Sequence, residues 1–437
     1  MRDKATDPAT DPATDQPSGA AAAREPVPYG GRGPARTIAV ILLSSGLVIV
    51  GNGMIQTLIP LRSELEGFST TLIGIQGTAY FAGFIGGCVL GPRLIQWVGH
   101  IRAYAGITAM LAAMLLLFPV WTDGWFWAGL RFAGGICVAT AFLVLESWLN
   151  DQATNENRGR VLSLYIIVTN AGWILGQLGV NLAELASIML FVLVAVPVCL
   201  SVVPVALTPT REPEPVPDPR LDLPGLFHLS TVGTIGCLFV GIAEGAFWTL
   251  GPIYGAERGL TVFEVTMLMG AFILGGTISQ WPIGKLSDRF DRRLVILPVV
   301  LATVCTGLAL AMVGDIGFWF VFGLATLHGA LMIPIYSLCI VHVNDNAPAD
   351  RFVQVSGGLL LIYAAGAALG PLAAAPLMDL TGPGGVFFFI SAVLAAFACV
   401  IAWRLRVAWR RDRAYRSAYS WQPRTTQQAY EIEAEDE

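Results

Sequence analysis

The chain has 437 residues, of which 55% are hydrophobic and 13% charged; the net charge is −5 and the mean hydropathy +0.65. A soluble domain carries about a quarter charged residues, so this chain has too little charge to coat a soluble surface and too much apolar content to stay disordered. The 48 Gly and 26 Pro follow no three-residue period, which excludes collagen; what remains is a polytopic membrane protein.

Residues 1–35 open with the repeat ATDPATDPATD and cannot bury a core, so they read as a disordered cytoplasmic tail. The first apolar run starts only near Ile38 and has no small-residue cleavage site, so it is a span and not a signal peptide. Twelve apolar runs follow, at 37–60, 69–91, 101–121, 124–149, 161–183, 186–207, 226–252, 264–284, 294–314, 317–342, 354–377 and 384–407. Each is near the ~20 residues that cross ~30 Å of hydrocarbon as a helix. Lipid offers no hydrogen-bond partner, and none of the runs alternates as a barrel strand does, so all twelve are helices. The predicted fold is all-α, with twelve transmembrane helices in two six-helix halves, residues 36–207 and 226–407. The Pro-rich, acidic stretch 208–225 (TPTREPEPVPDPRLDLPG) links them on the cytoplasmic side. Residues 408–437 form a second cytoplasmic tail. A basic run, Arg404–Arg416, lies near anionic lipid at the end of the last span, and the tail ends in EIEAEDE.

With the N-terminus inside, 23 of the 26 Lys and Arg fall on the cytoplasmic side, Arg62 and Arg258 fall outside, and Arg131 sits within a span. That bias places both termini in the cytoplasm and the protein in the cell (inner) membrane. Trp125, Trp127 and Trp319 mark the outer interface. The seven Cys all fall in apolar runs, with no CxxC, and read as small buried residues.

The halves resemble each other. At a shift of 192, Asn52-Gly-x3-Thr57-Leu58-x-Pro60 falls on Glu244-Gly-x3-Thr249-Leu250-x-Pro252, Gly67 on Gly259 and Gly83 on Gly275. At 194, Asn150-Asp151 falls on Asn344-Asp345 and Gly172-x3-Gly176 on Gly366-x3-Gly370. Two parallel six-helix repeats characterise one transporter class, with the substrate site between the halves near the membrane midplane.

Between the eighth and ninth spans stands Gly284-Lys-Leu-Ser-Asp288-Arg289-Phe-Asp-Arg292-Arg293. It resembles the loop signature G-x-L-x-D-R-x-G-R-R of the major facilitator superfamily, with Asp291 in place of the second Gly. The symmetric loop, Pro92 to His100, keeps Gly99 but has Gln96 for the Asp. Arg131-x3-Gly135 is similar to the superfamily's fourth-helix Arg motif, and Gly366-x3-Gly370-Pro371 to its Gly-Pro motif. The segments from Glu146 to Val161 and from Ser356 to Tyr363 resemble the YcaD-type branch. The superfamily resemblance covers about 36–407. It implies a secondary transporter whose first, fourth, seventh and tenth spans line a central cavity.

A charge inside hydrocarbon costs at least ~2.5–3.5 kcal/mol on insertion scales. Away from span ends the chain carries Arg131, Glu146 and Glu244, with His328 a fourth ionisable group. By rise per residue, Arg131 and Glu244 both lie roughly 10 Å below the outer face. Facing each other across the cavity, they would form a switchable pair, with Glu244 carrying a proton or a substrate cation. Arg131 would bind a substrate anion or tune Glu244, or else tie its span to neighbouring carbonyls. His328 near midplane either titrates or packs. Asn52 and Gln56, one turn apart, bind substrate or bond across helices. Glu146, near the cytoplasmic end, reads as an inner-gate contact. The resemblance implies that the 284–293 loop (Gly284, Asp288, Arg289, Arg292, Arg293) is a latch. In it Asp288 sits against the N-terminus of the fifth span, and Arg289 pairs with Asp345.

No P-loop, HExxH, GxSxG or CxxC occurs, so the chain is not expected to be an enzyme and needs no cofactor or metal. The expected function is secondary active transport of a small solute by alternating access, coupled to protons through Glu244 and His328. The other class kept open is a transport-inactive membrane sensor or scaffold on the same fold. The expected partners are the solute, protons and the lipid bilayer; no nucleic acid is expected, and the chain is expected to act as a monomer.

Overall fold

The structure is a computed structural model that describes residues 34–154, 156–208, 223–314, 316–348 and 351–408. The expected tails up to residue 33 and from 409, and the linker residues 209–222, lie outside the described residues. Those described form thirteen α-helices and no strand. The first half comprises α1 (Pro34–Leu65), α2 (Thr70–Val98), α3 (His100–Leu117), α4 (Gly124–Gln152), α5 (Arg158–Gly179) and α6 (Met189–Ala206). A seven-residue helix, α7 (Leu223–Leu229), precedes the second half. There α8 (Thr231–Glu257), α9 (Val262–Arg289), α10 (Arg292–Met312), α11 (Phe318–Asn344), α12 (Phe352–Thr381) and α13 (Gly385–Ala408) follow.

Twelve of these helices are long and apolar enough to span a bilayer, as expected. Several outrun the predicted span. α1 has 32 residues, about 48 Å, well beyond a ~30 Å hydrocarbon core. The seventh span starts later than expected, because Ser230 turns extended and caps α8 by accepting from the Gly233 amide at 3.2 Å. Large apolar side chains such as Trp97, Leu207 and Leu380 stand exposed on the outside of the bundle, the surface lipid would cover. Cys88, Cys137, Cys237 and Cys339 are buried, whereas Cys199, Cys305 and Cys399 face outward; all seven are free thiols. Small and apolar, a cysteine suits lipid as well as a core, so the expected burial fails at three of them.

The main helix contacts of one half recur in the other. α1 packs on α5 and α6, α2 on α4, and α3 on α4 and α6. In the second half α8 packs on α12 and α13, α9 on α11, and α10 on α11 and α13. Backbone approaches obey the sequence offsets. A Cβ on Gly135 would lie 2.1 Å from the Tyr80 carbonyl oxygen, and one on Gly329 2.1 Å from that of Phe272. Gly176 meets the Val50 carbonyl as Gly370 meets that of Ile242. Such contact demands a missing side chain, which is how membrane helices cross closely. The ends of α1 and α8 repeat too. Gly67 and Gly259 take φ 79° and 74°, and each closes a Schellman turn, with Phe68 N to Ser63 O at 3.0 Å and Leu260 N to Gly255 O at 3.1 Å.

Between the halves, α2 packs along α12 and α5 along α9, contacts that exchange when the halves are exchanged. Thr71 Oγ1 donates to Asp379 Oδ2 (2.7 Å), Thr78 Oγ1 to the Ala368 carbonyl (2.7 Å) and Asn181 Nδ2 to Thr266 Oγ1 (2.8 Å). All three lie toward the end of the bundle where α2 and α9 begin, opposite the arginine-rich end where α9 stops. At the end where α2 and α9 begin, Trp125 and Trp319 are exposed. Trp127 is not. It is buried, and its Nε1 donates at 3.0 Å to the carbonyls of Phe118 and Trp121, pinning the turn before α4.

Gly135→Ala and Gly329→Ala should each cost several kcal/mol by overpacking, seen as a collapse of the monodisperse fraction after detergent extraction. Gly129→Ala and Gly323→Ala, where a Cβ meets nothing within 4 Å, should leave that fraction unchanged.

Candidate functional site

In the first half the polar site grows from α1. Asn52 and Gln56 stand one turn apart on it and are both buried. Arg131 on α4 donates from Nη1 to Gln56 Oε1 at 2.6 Å. Its guanidinium carbon lies 4.4 Å from the centre of the Tyr80 ring on α2, and the Tyr80 hydroxyl donates to Asn52 Oδ1 at 3.2 Å. Arg131 is thus held by an amide and an aromatic face, both within its own half.

In the second half Glu244 occupies the place of Asn52. It is fully buried, and its Oε2 accepts from the Tyr363 hydroxyl of α12 at 2.7 Å. The Tyr363 ring lies 4.6 Å from that of Tyr336 on α11. One turn beyond Glu244, Trp248 takes the place of Gln56 and packs on Trp173 of α5, ring centres 5.4 Å apart, across the two halves. Arg131 and Glu244 therefore do not meet in this conformation. Each sits with a partner in its own half, and the expected pair across the cavity is not formed.

His328 does not face the space between the halves. Its Nδ1 lies 2.9 Å from Thr306 Oγ1 on α10, and its ring packs at 6.1 Å from Phe272 of α9 and 5.5 Å from Phe387 of α13. Its ring packs within the second half. Glu146 is fully buried and accepts from the Tyr165 hydroxyl of α5 at 2.6 Å, a contact inside the first half near its arginine-rich end.

At that end the loop after α9 forms a network within the second half. The expected pairing of Arg289 with Asp345 is replaced by Arg292. Its Nε lies 2.5 Å from Asp345 Oδ2 and its Nη2 3.2 Å from Oδ1. Arg292 also donates to Ser287 Oγ at 2.8 Å and lies 3.6 Å from Asp288. The reason is where the helices end. Arg289 closes α9 and stands exposed, whereas Arg292 opens α10 and is buried toward the end of α11. Asp291 caps α10 by accepting from the Arg293 amide at 3.0 Å, and Arg293 Nε donates to His342 Nε2 at 3.3 Å. Gly284 is buried one turn before Asp288. Among the described residues no group of three metal-ligating side chains occurs.

The comparisons with known proteins follow the same outline. A sequence profile of the Major Facilitator Superfamily matches residues 41–232 and again 233–426. The chain belongs to the major facilitator superfamily. It is 28% identical over 362 residues to the uncharacterized MFS-type transporter YcaD of Escherichia fergusonii, covering 81% of this chain and 92% of that one. It is also 28% identical over 370 residues to the uncharacterized MFS-type transporter YE1530 of Yersinia enterocolitica, covering 83% and 94%. Among solved structures it matches the nucleoside transporter NupG with TM-score 0.68 at 14% identity, over 86% of this chain and all of that one. A bacterial homologue of the human lysosomal transporter Spinster, inward-facing and unoccupied, matches with TM-score 0.69 at 14% identity, over 88% and 100%. The protein is therefore a multi-pass membrane transporter of this superfamily.

The residues that sequence reasoning missed are aromatic. Tyr80, Tyr165 and Tyr363 each engage one intramembrane charge. A buried charge needs a partner, so a tyrosine inside an apolar run was a usable signal.

Removing Asp345 takes away the two-point partner of a buried guanidinium. Asp345→Ala and Arg292→Ala should each cost about 3–5 kcal/mol, read as a lower thermal unfolding midpoint in detergent. Arg289→Ala should stay within about 0.5 kcal/mol.

Proposed function

We propose that this transporter moves a small solute by alternating access, driven by protons, with Glu244 as the proton-carrying group. The observation that carries the reading is Glu244 itself. It is a carboxylate fully buried in a membrane helix and hydrogen-bonded to the Tyr363 hydroxyl. A hydroxyl both donates and accepts, so Tyr363 can serve either protonation state of its partner. A carboxyl that must shed its charge to sit in apolar surroundings, and regains it when water arrives, couples proton binding to conformation.

Asn52, Gln56 and Arg131 are the polar counterpart in the other half, and they offer hydrogen bonds to the solute when the halves part. Trp173 and Trp248 cover the seam between them. The arginine-rich end faces the cytoplasm, as the charge bias requires, and both termini lie there, in the inner membrane. The Thr71–Asp379 and Asn181–Thr266 bonds then close the outer side and break when the halves rock apart there. Arg292, Arg293, Asp288 and Asp345 stiffen the inner end of the second half, and Glu146 does the same for the first.

Proteoliposomes holding a pH-sensitive dye, given a panel of small organic solutes, test the coupling. A transported solute should change internal pH, and Glu244→Gln should slow that change at least tenfold while solute exchange continues. An unaltered pH response in Glu244→Gln removes the proton role. In a cysteine-free background, bridging Thr71→Cys to Asp379→Cys with a short thiol cross-linker should stop transport until the bridge is reduced. Transport that continues through the bridge rules out opening at this seam.

A further inference from the structure

Behind α4, inside the first half, lies a cavity of about 20 Å³. Its walls are almost all apolar: Leu111, Met114 and Leu115 from α3, Phe118 just past its end, Val138 from α4 and Val198 from α6. The exceptions are Arg131, Tyr80 and Asn52. Asn52 and Tyr80 already bond to each other. Arg131 is 5% exposed and its Nε has no partner. Among the described residues no carboxylate lies within 4.0 Å of its guanidinium. The result is a buried positive charge with one spare donor, beside an empty space slightly larger than the ~10–15 Å³ that one water needs.

The same place in the second half is filled. Gly134, which lines the cavity, is the repeat mate of His328 at the offset of 194, and Met114 is the mate of Thr306 at 192. The His328 ring, held by Thr306, occupies in the second half what is void in the first. A neutral side chain fills one half, and a cation faces space in the other.

We propose that this cavity binds a small monovalent anion of halide size, with chloride as the natural occupant, as the counter-ion of Arg131. An uncompensated buried charge is costly, and an anion at the guanidinium removes the penalty. The cavity suits a single atom, and its apolar walls offer nothing to hold the several oxygens of a carboxylate or phosphate. The walls supply few hydrogen bonds, which disfavours water, since a buried water takes two to four polar partners. A halide needs only the charge and the Nε donor. The proposal concerns the folded protein and does not depend on which solute is carried.

The purified full-length protein tests it without a transport assay. At constant ionic strength, replacing gluconate by chloride or bromide should raise the thermal unfolding midpoint saturably, by about 2–4 °C near tenfold excess over the dissociation constant. Gly134→Ala should abolish the dependence, because one methyl group takes the space of one atom. A Cβ there meets only Leu111 Cδ1, at 3.8 Å, so the methyl fits without strain. Crystals grown in bromide should show one anomalous peak beside Arg131, which decides the matter even if Gly134→Ala does not fold. A midpoint indifferent to halide, a dependence that survives in folded Gly134→Ala, or bromide crystals with water alone in the cavity would each overturn the proposal.

Discussion

A charge placed in hydrocarbon has to be satisfied by the protein, because lipid cannot do it. This one constraint organises the interior of the bundle. Arg131 lies over the Tyr80 ring, Glu146 accepts from Tyr165, and Glu244 accepts from Tyr363. Tyrosine suits the task, having a broad apolar body that packs among helices and one polar tip that reaches a charge. Each pairing joins two helices of one half: α4 to α2, α4 to α5, and α8 to α12. The charges thereby set which faces of neighbouring helices meet, a register that apolar packing leaves loose.

The scaffold beneath these pairs is symmetric at the backbone and asymmetric in its side chains. Gly135 against Tyr80 and Gly329 against Phe272 are the same crossing made twice. The substitutions at matched positions carry the differences. Asn52 becomes Glu244, Gln56 becomes Trp248, and Gly134 becomes His328. Across the halves, a Cβ on Gly74 would touch Ala375, while at the matched pair Thr266 accepts a hydrogen bond from Asn181. Close crossings leave no room for a side chain, so they resist change. The residues between them are free to vary, so one half could acquire an acid and the other keep an amide.

Composition made the spans legible, because length and hydropathy alone decide whether a helix crosses a bilayer. The repeat was legible at its glycines and prolines, where backbone geometry restricts the residue. What stayed hidden depends on rotation and on where helices end. Arg289 and Arg292 are three residues apart, and only the break after α9 decides which one reaches Asp345. Trp127 looked interfacial because it stands two residues from Trp125; it is buried because α4 turns it toward Phe118. Arg131 and Glu244 matched in depth, yet depth says nothing about azimuth, and each turns toward its own half.

The arginines show how the same residue serves opposite ends. Arg62 and Arg258 break the charge bias, and each is held by loop carbonyls at the far end. Arg62 donates to the Leu185 carbonyl at 2.9 Å, and Arg258 to those of Val313 and Gly314 at 2.7 and 2.6 Å. They staple the ends of α1 and α8 to loops of their own half. At the other end Arg292 and Arg293 bind Asp345 and His342, also within one half. These strong polar contacts stiffen each half, while the seam between halves relies on packing and single hydrogen bonds such as Thr71–Asp379. Single exposed hydrogen bonds contribute about 1 kcal/mol each, and breaking a buried ion pair costs several. A bundle built this way holds each half more firmly than it holds the seam between them.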